Sequence, residues 1–237
     1  NTVLNTIVAE SLDFVATELE NAVKAGKDFN KSIQELLASI LKSCKKVLFN
    51  GDGYSEEWHK EAEKRGLPNL RTTTDALPVI VRKDSIDLFT KYKVYTEKEL
   101  VSRFKILCEN YVKTLNIEGK TALLMAKGMI LPAAIRFQGE IASSVNATKA
   151  AGVDNSAQVD FLKNLTSTIS DFQKAIAGLE HALGEHPSGD EHAHAVHARD
   201  HVLASIVKLR GVSDKLETMV ADDRWPLPTY REILFIK

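Results

Sequence analysis

The sequence predicts an all-α fold: a multi-helix bundle with a long antiparallel helical hairpin near the C-terminus. Three observations carry that expectation. Apolar residues recur at steps of three and four along most of the chain, the spacing that gathers them on one helix face. No run alternates convincingly between apolar and polar residues; Val47-Leu48-Phe49 and Val79-Ile80-Val81 are the only strand candidates, too short to found a sheet. Glycines and prolines follow the apolar runs, and Ser, Thr or Asp precede several of them, as helix ends require.

The first helix carries Leu4, Ile7, Val8, Leu12, Val15, Leu19 and Val23 and stops at Gly26. The second opens near Asp28, with Ile33, Leu36, Leu37, Ile40, Leu41, Cys44, Val47 and Leu48 on its inward face. Asn50-Gly51 breaks that pattern. Ser55 then reads as an N-cap, with Glu56 and Glu57 at the positive helix end. Trp58 and Ala62 are expected inside, and Gly66-Leu67-Pro68 ends this helix. Residues 72–78 read as loop, followed by a short helix around Ile86, Phe89 and Tyr92.

Thr96 and Glu99 form a capping box, each side chain serving the other's backbone N–H. The long helix that follows has Leu100, Phe104, Leu107, Cys108, Tyr111, Leu115, Ala122, Met125 and Met129 inward. Pro132 lacks an N–H and crowds the carbonyl of Gly128, so a kink or break is expected there. Helix resumes through Ile135, Ile141 and Val145 to Gly152. Next, Leu162, Leu165, Ile169, Phe172, Ile176, Leu179 and Leu183 step by three and four, close to a coiled-coil seam. GEHPSGDEH turns the chain, and Val202, Ile206, Leu209, Leu216 and Val220 line the returning helix. A connection this short implies an antiparallel pair.

Composition sets limits on function. With 31 basic and 32 acidic residues the net charge is −1, so no global field draws the chain to nucleic acid or to acidic lipid. No apolar run approaches the roughly 18 residues of a membrane span. Cys44 and Cys108 occupy apolar helical positions without a CxxC pair and read as reduced core thiols of a cytoplasmic protein. The start at Asn1 instead of methionine suggests an excised portion.

No phosphate-binding, dinucleotide-binding, zinc-protease or serine-hydrolase motif is present, and no residue is assigned a catalytic or cofactor-binding role. In FNGDGYSEEWHKEAEKRGLPNLRTT, residues 49–73, a calcium loop starting at Asn50 would put Tyr54 where an oxygen ligand belongs. It would also replace the obligatory glycine with Ser55. Gly51, Asp52 and Gly53 are therefore read as a structural turn, with left-handed backbone at the two glycines. Six of the seven histidines lie between His181 and His201. Those at 194, 197 and 201 share a helical face, and His197 and His201 are four apart, a spacing that can hold zinc. Glu191 or Asp200 would complete such a set. The bland reading of these histidines is a solvated polar turn.

Resemblance goes further. The 49–73 stretch, the following DALP, YVKTLNIEGKTAL and the closing WPLPTYREILFIK resemble the C-terminal portion of type III glutamine synthetases. NTVLNTIVAESLD is similar to the helix after the last active-site strands of that family. LFTKYKVYTEKELVSRF resembles the helical tail that its shorter classes keep. From Gly119 onward the helices resemble the extension peculiar to type III. The resemblance implies two regions: residues 1–118 as the helical end of the catalytic domain, and 119–237 as the extension. It implies a parent enzyme that joins ammonia to glutamate with ATP and divalent Mg or Mn, in a barrel shared by adjacent subunits of a double ring. The partners it implies are the upstream catalytic and N-terminal domains and further copies of the chain. The metal-binding and substrate-holding residues of that family lie upstream of Asn1, so this portion is expected to be inactive by itself.

The apolar end Ile233-Leu234-Phe235-Ile236 suggests that residues 225–236 dock on a groove or a neighbouring subunit, with Trp225 and Phe235 as anchors.

Overall fold

The computed structural model describes residues 1–235, and among them every regular element is helical. The chain divides into two compact units, residues 1–104 and 105–237. The division falls within one long helix and is set by packing, whereas the expected boundary at 118 follows the sequence resemblance.

In the first unit, α1 (Thr2–Lys24) and α2 (Phe29–Cys44) pack against each other. Gly26 ends α1 at φ +76°, with the Lys27 amide donating to the Ala22 carbonyl at 3.1 Å. This is the left-handed glycine stop that the sequence signals. Asp28 caps α2 by accepting from the Lys31 amide at 2.8 Å. Next come α3 (Glu56–Lys64), α4 (Thr73–Ala76) and α5 (Lys83–Lys91). Residues 72–78 are therefore not a loop, because Thr72 caps α4 and 3-10 turns continue over Leu77–Val81. That tight winding also removes Val79-Ile80-Val81 as a strand candidate. Lys91 ties α5 to α1, lying 2.9 Å from Glu10 and 3.2 Å from Asp13, while the Tyr92 hydroxyl donates to Asp13 at 2.7 Å. Burial and the two carboxylates push the Tyr92 phenol up to about 12.

The second unit is built on α6 (Glu97–Met125), α7 (Leu131–Ala150) and α8 (Ser156–Gly184). A return helix completes it, made of α9 (Glu191–His197) and α10 (Ala204–Met219). The last turn, α11 (Tyr230–Leu234), is capped reciprocally by Thr229 and Glu232. The Thr96–Glu99 box at the start of α6 also forms, at 2.8 and 3.3 Å. The seam of α8 is as expected: Leu165, Ile169, Phe172, Ile176 and Leu179 are buried against Leu209 and Leu216 of α10 and Ala126, Ile130 and Ala134 of the α6–α7 segment. Gly119 permits a close approach, since a Cβ there would meet Leu183 at 3.1 Å and Val202 at 3.4 Å.

Several expectations change. Pro132 does not break the helix. A single π turn over Ala126–Ile130 joins α6 to α7, widening the winding just where proline denies Gly128 its usual donor. Cys108 is fully buried and burial raises its thiol pKa, but Cys44 is exposed at the end of α2 and is no core thiol. Leu107 and Met129 are exposed instead of inward. Trp225 and Leu227 pack on the core beside a groove of about 370 Å³ lined by Met125, Phe172, Leu209 and Ile233. Phe235 is 68% exposed, so within this chain it does not hold the tail down as Trp225 does. Ile236 lies outside the described residues.

Candidate functional site

The 49–73 stretch forms a braced turn. The Asp52 carboxylate accepts from the Tyr54 amide at 2.9 Å, and its carbonyl accepts from the Ser55 amide and hydroxyl at 3.1 and 2.8 Å. Ser55 in turn caps α3 by accepting from the Trp58 amide at 3.2 Å. Phe49 stacks on Trp58 with centroids 4.5 Å apart. Arg65, held by Glu61 at 2.7 Å, donates to the carbonyls of Lys46 and Leu48 at 3.2 and 2.7 Å. Asp52 and Glu61, two carboxylates a calcium loop would use, are thus engaged in closing the turn.

The glycines act differently from the expectation. The left-handed positions are Gly26, Gly66, Gly152 and Gly189, not Gly51 or Gly53. Gly51 is needed for space: a Cβ there would lie 2.8 Å from two Phe49 ring carbons. Gly53 meets nothing within 4 Å. Gly51→Ala should therefore displace the Phe49–Trp58 pair and destabilise by about 1 kcal/mol. Gly53→Ala should be neutral, or stabilising by roughly 0.4–1 kcal/mol through the unfolded chain. Thermal melts of the two variants test this, and equal losses would contradict it.

The histidine-rich turn gathers side chains that could hold a metal. Among the described residues, one group of His, Cys, Asp or Glu brings three ligand atoms within 4.8 Å of one another: Glu185, His197 and His201. Glu185 follows the last residue of α8, and the two histidines lie on the return helix at a second π turn, Ala198–Leu203. His197 Nε2 is 3.0 Å and His201 Nδ1 3.8 Å from Glu185 Oε2, while His181 Nε2 is 3.4 Å from Oε1. The two rings stack at 4.5 Å. The His197 hydrogen bond, then the charges of His181 and His201, hold the Glu185 carboxyl below its ordinary range.

His194 is not in this group; it lines a neighbouring cleft of about 280 Å³ with Val112, Asn116, Lys120 and Pro187. The carboxylates suggested by sequence are engaged elsewhere, Glu191 with Lys105 at 3.2 Å and Asp200 with Arg199 at 2.7 Å. Glu185 escaped sequence analysis because its partners lie 12 and 16 residues away, across a turn. Asp190 shapes that turn by capping α9 through the Ala193 amide at 2.9 Å, and Gly189 by adopting φ +129°.

A third feature is apolar. Leu4, Val8, Leu12, Val15 and Leu19 follow one stripe of α1. Its second half is half-buried, as are Ile33, Leu36 and Ile40 of α2. Its first half is bare: Leu4 is 67% and Leu12 64% exposed, with Val3, Ile7, Val8 and Phe14 also open. On α2, Leu37 and Leu41 are exposed as well. Residues expected to face inward thus have no cover within the first unit, whose own buried set is small: Thr6, Ser32, Ala62, Thr74, Phe89 and Leu100.

Comparison with known proteins places the chain in a family. The family profile of the glutamine synthetase C-terminal domain matches residues 32–149. The type-3 glutamine synthetase of Dictyostelium discoideum is 35% identical over 248 residues, covering 99% of this chain and 33% of that protein. A glutamine synthetase of Butyrivibrio fibrisolvens is 32% identical over 214 residues, covering 89% of this chain and 31% of that protein. One from Bacteroides fragilis (strain YCH46) is 26% identical over 243 residues, covering 99% and 33%. The chain spans about a third of the length of the curated relatives it matches. With the all-helical build and motifs that run from end to end, it belongs to the glutamine synthetase family, as a C-terminal portion of the type 3 kind.

Proposed function

We propose that this chain is the helical support of a cytoplasmic ligase that joins ammonia to glutamate at the expense of ATP. Its roles are to brace the upstream catalytic barrel and to assemble the enzyme into a homo-oligomer of the double-ring kind. The observation that carries this reading is the uncovered apolar half of α1, with Leu37 and Leu41 on α2. Leaving so many large apolar side chains in water is unfavourable by roughly 1.5–3 kcal/mol each. The length of the matched relatives, about three times that of this chain, supports a cover formed by the rest of the enzyme.

ATP and its Mg or Mn belong, in this reading, to the upstream part. The convergent set found here, two imidazoles and one carboxylate, is nitrogen-rich and does not suit Mg, which prefers oxygen ligands and waters. No residue of this chain is assigned a step in phosphoryl transfer or amide formation.

Two measurements test the proposal. The isolated chain should form no glutamine from glutamate, ammonia and ATP; turnover above a boiled control, in protein free of host synthetase, would overturn it. In the full-length enzyme, deleting everything beyond Glu118 should break the oligomer on light scattering, and an unchanged mass would overturn the assembly role.

A further inference from the structure

We propose that Glu185, His197 and His201 form a zinc-binding site that clips the two arms of the C-terminal helical hairpin together. The ligands come from both arms. Glu185 lies at the end of α8, while His197 and His201 lie on the return helix beyond a turn in which Gly189 at φ +129° and the Asp190 cap set the course of the chain. Two histidines and one carboxylate are an established zinc donor set with a further position open to water.

The distances are close to those a bound ion needs. Metal–ligand bonds of about 2.0–2.1 Å in a tetrahedron put ligand atoms roughly 3.3 Å apart. His197 Nε2 and Glu185 Oε2 are already 3.0 Å apart and His201 Nδ1 is 3.8 Å from the same oxygen, so the cage closes when the His201 ring turns out of its stack on His197. The histidines differ in exposure: the His197 side chain is 17% exposed, whereas that of His201 is 55% exposed and has room to turn. His181, 3.4 Å from the second oxygen of Glu185, orients that carboxylate as an outer-shell partner does. The neighbouring carboxylates do not compete, because Lys105 and Arg199 hold them. The cleft of about 280 Å³ beside Glu185 and His197 gives the open position access to solvent.

A second, independent feature marks the place. The return helix widens into a π turn over Ala198–Leu203. Unlike the turn before Pro132, this one has no proline to account for it. Single π turns inside α-helices concentrate at functional sites, since they re-aim side chains at the expense of regular hydrogen bonding. Here the widened turn contains His201 and begins directly after His197.

Without a metal, the same groups can form a hydrogen-bonded pair in which His197 donates to Glu185. Zinc titration separates the two. Calorimetry on the chelator-stripped chain with zinc chloride should show one equivalent bound. His197→Ala, His201→Ala and Glu185→Gln should each weaken it tenfold or more, while His186→Ala, which alters the cleft but none of the three ligands, should leave it unchanged. Millimolar Mg should not compete. Cobalt substitution of the unmutated chain gives a readout that needs no variant to fold: the expected visible spectrum is that of a tetrahedral site with nitrogen and oxygen donors. Binding that survives His197→Ala and His201→Ala, stoichiometry scattered over several histidines, or an octahedral cobalt spectrum would overturn the site. None of these outcomes depends on whether the chain supports a synthetase assembly.

Discussion

Phe172→Ala should destabilise the second unit by about 3–5 kcal/mol, the range for removing a fully buried aromatic side chain. Phe172 is at the centre of the α8 seam with no exposed surface, within the same core cluster as Leu165, Ile169, Ile176, Leu209 and Ala126. Its removal loses the transfer free energy of the ring and leaves a void that neighbouring helices fill only in part. Phe172 also borders the groove beside Trp225, so the new space opens into an existing cleft of about 370 Å³. Water entering from that side should bring the loss nearer the lower end of the range. For a unit of this size the melting temperature should fall by roughly 10 °C. Phe161→Ala, on the same helix but at the exposed edge, should change stability much less. Denaturant titration of both variants checks the contrast. A loss below about 1 kcal/mol for Phe172→Ala would mean that the core is not packed as described.

The double substitution Leu4→Asp and Leu12→Asp should have opposite consequences in two settings. In the isolated chain both side chains stand mostly in water, so folding stability should move by no more than about 0.5 kcal/mol per site, with less self-association. In the full-length enzyme the proposed cover buries this stripe. Losing two leucines there removes roughly 1.5–3 kcal/mol apiece. Placing two carboxylates in that interface adds a desolvation cost of several kcal/mol more. The enzyme should then lose its assembled form and its glutamine-forming activity together. Gel filtration and turnover of the full-length variant, beside a melt of the variant chain alone, provide the check. A full-length enzyme that tolerates both changes would remove the basis for the proposed interface.

Much of the fold was legible in the sequence because helices are specified locally. The three-and-four spacing from Leu162 to Leu183, the caps at Asp28, Ser55, Thr96 and Thr229, and the glycine stops at 26, 66 and 152 each act within a turn or two of chain. Motif kinship reached the family by the same route, since a short string such as the 49–73 stretch is read without any distant contact. The local pattern does not say what covers an apolar face. Leu4, Leu12, Leu41 and Cys44 share the periodicity of core residues, yet the first unit leaves them exposed.

The candidate site was half legible. His197 and His201 show their spacing directly, whereas Glu185 joins them only after the chain has turned and α8 has paired with the return helix. Gly51 was singled out for the wrong reason: a turn glycine suggests left-handed backbone, but its actual constraint is the Phe49 ring brought back over it. At Pro132 the sequence predicted a kink or a break, and the structure kept the helix continuous by widening one turn. The sequence by itself determined the long helices, most of their caps and stops, and the family. The tertiary structure decided which apolar faces are covered, which carboxylate meets the histidines and how the proline is absorbed. Those outcomes depend on contacts between residues distant along the chain, whose relative positions no local spacing encodes.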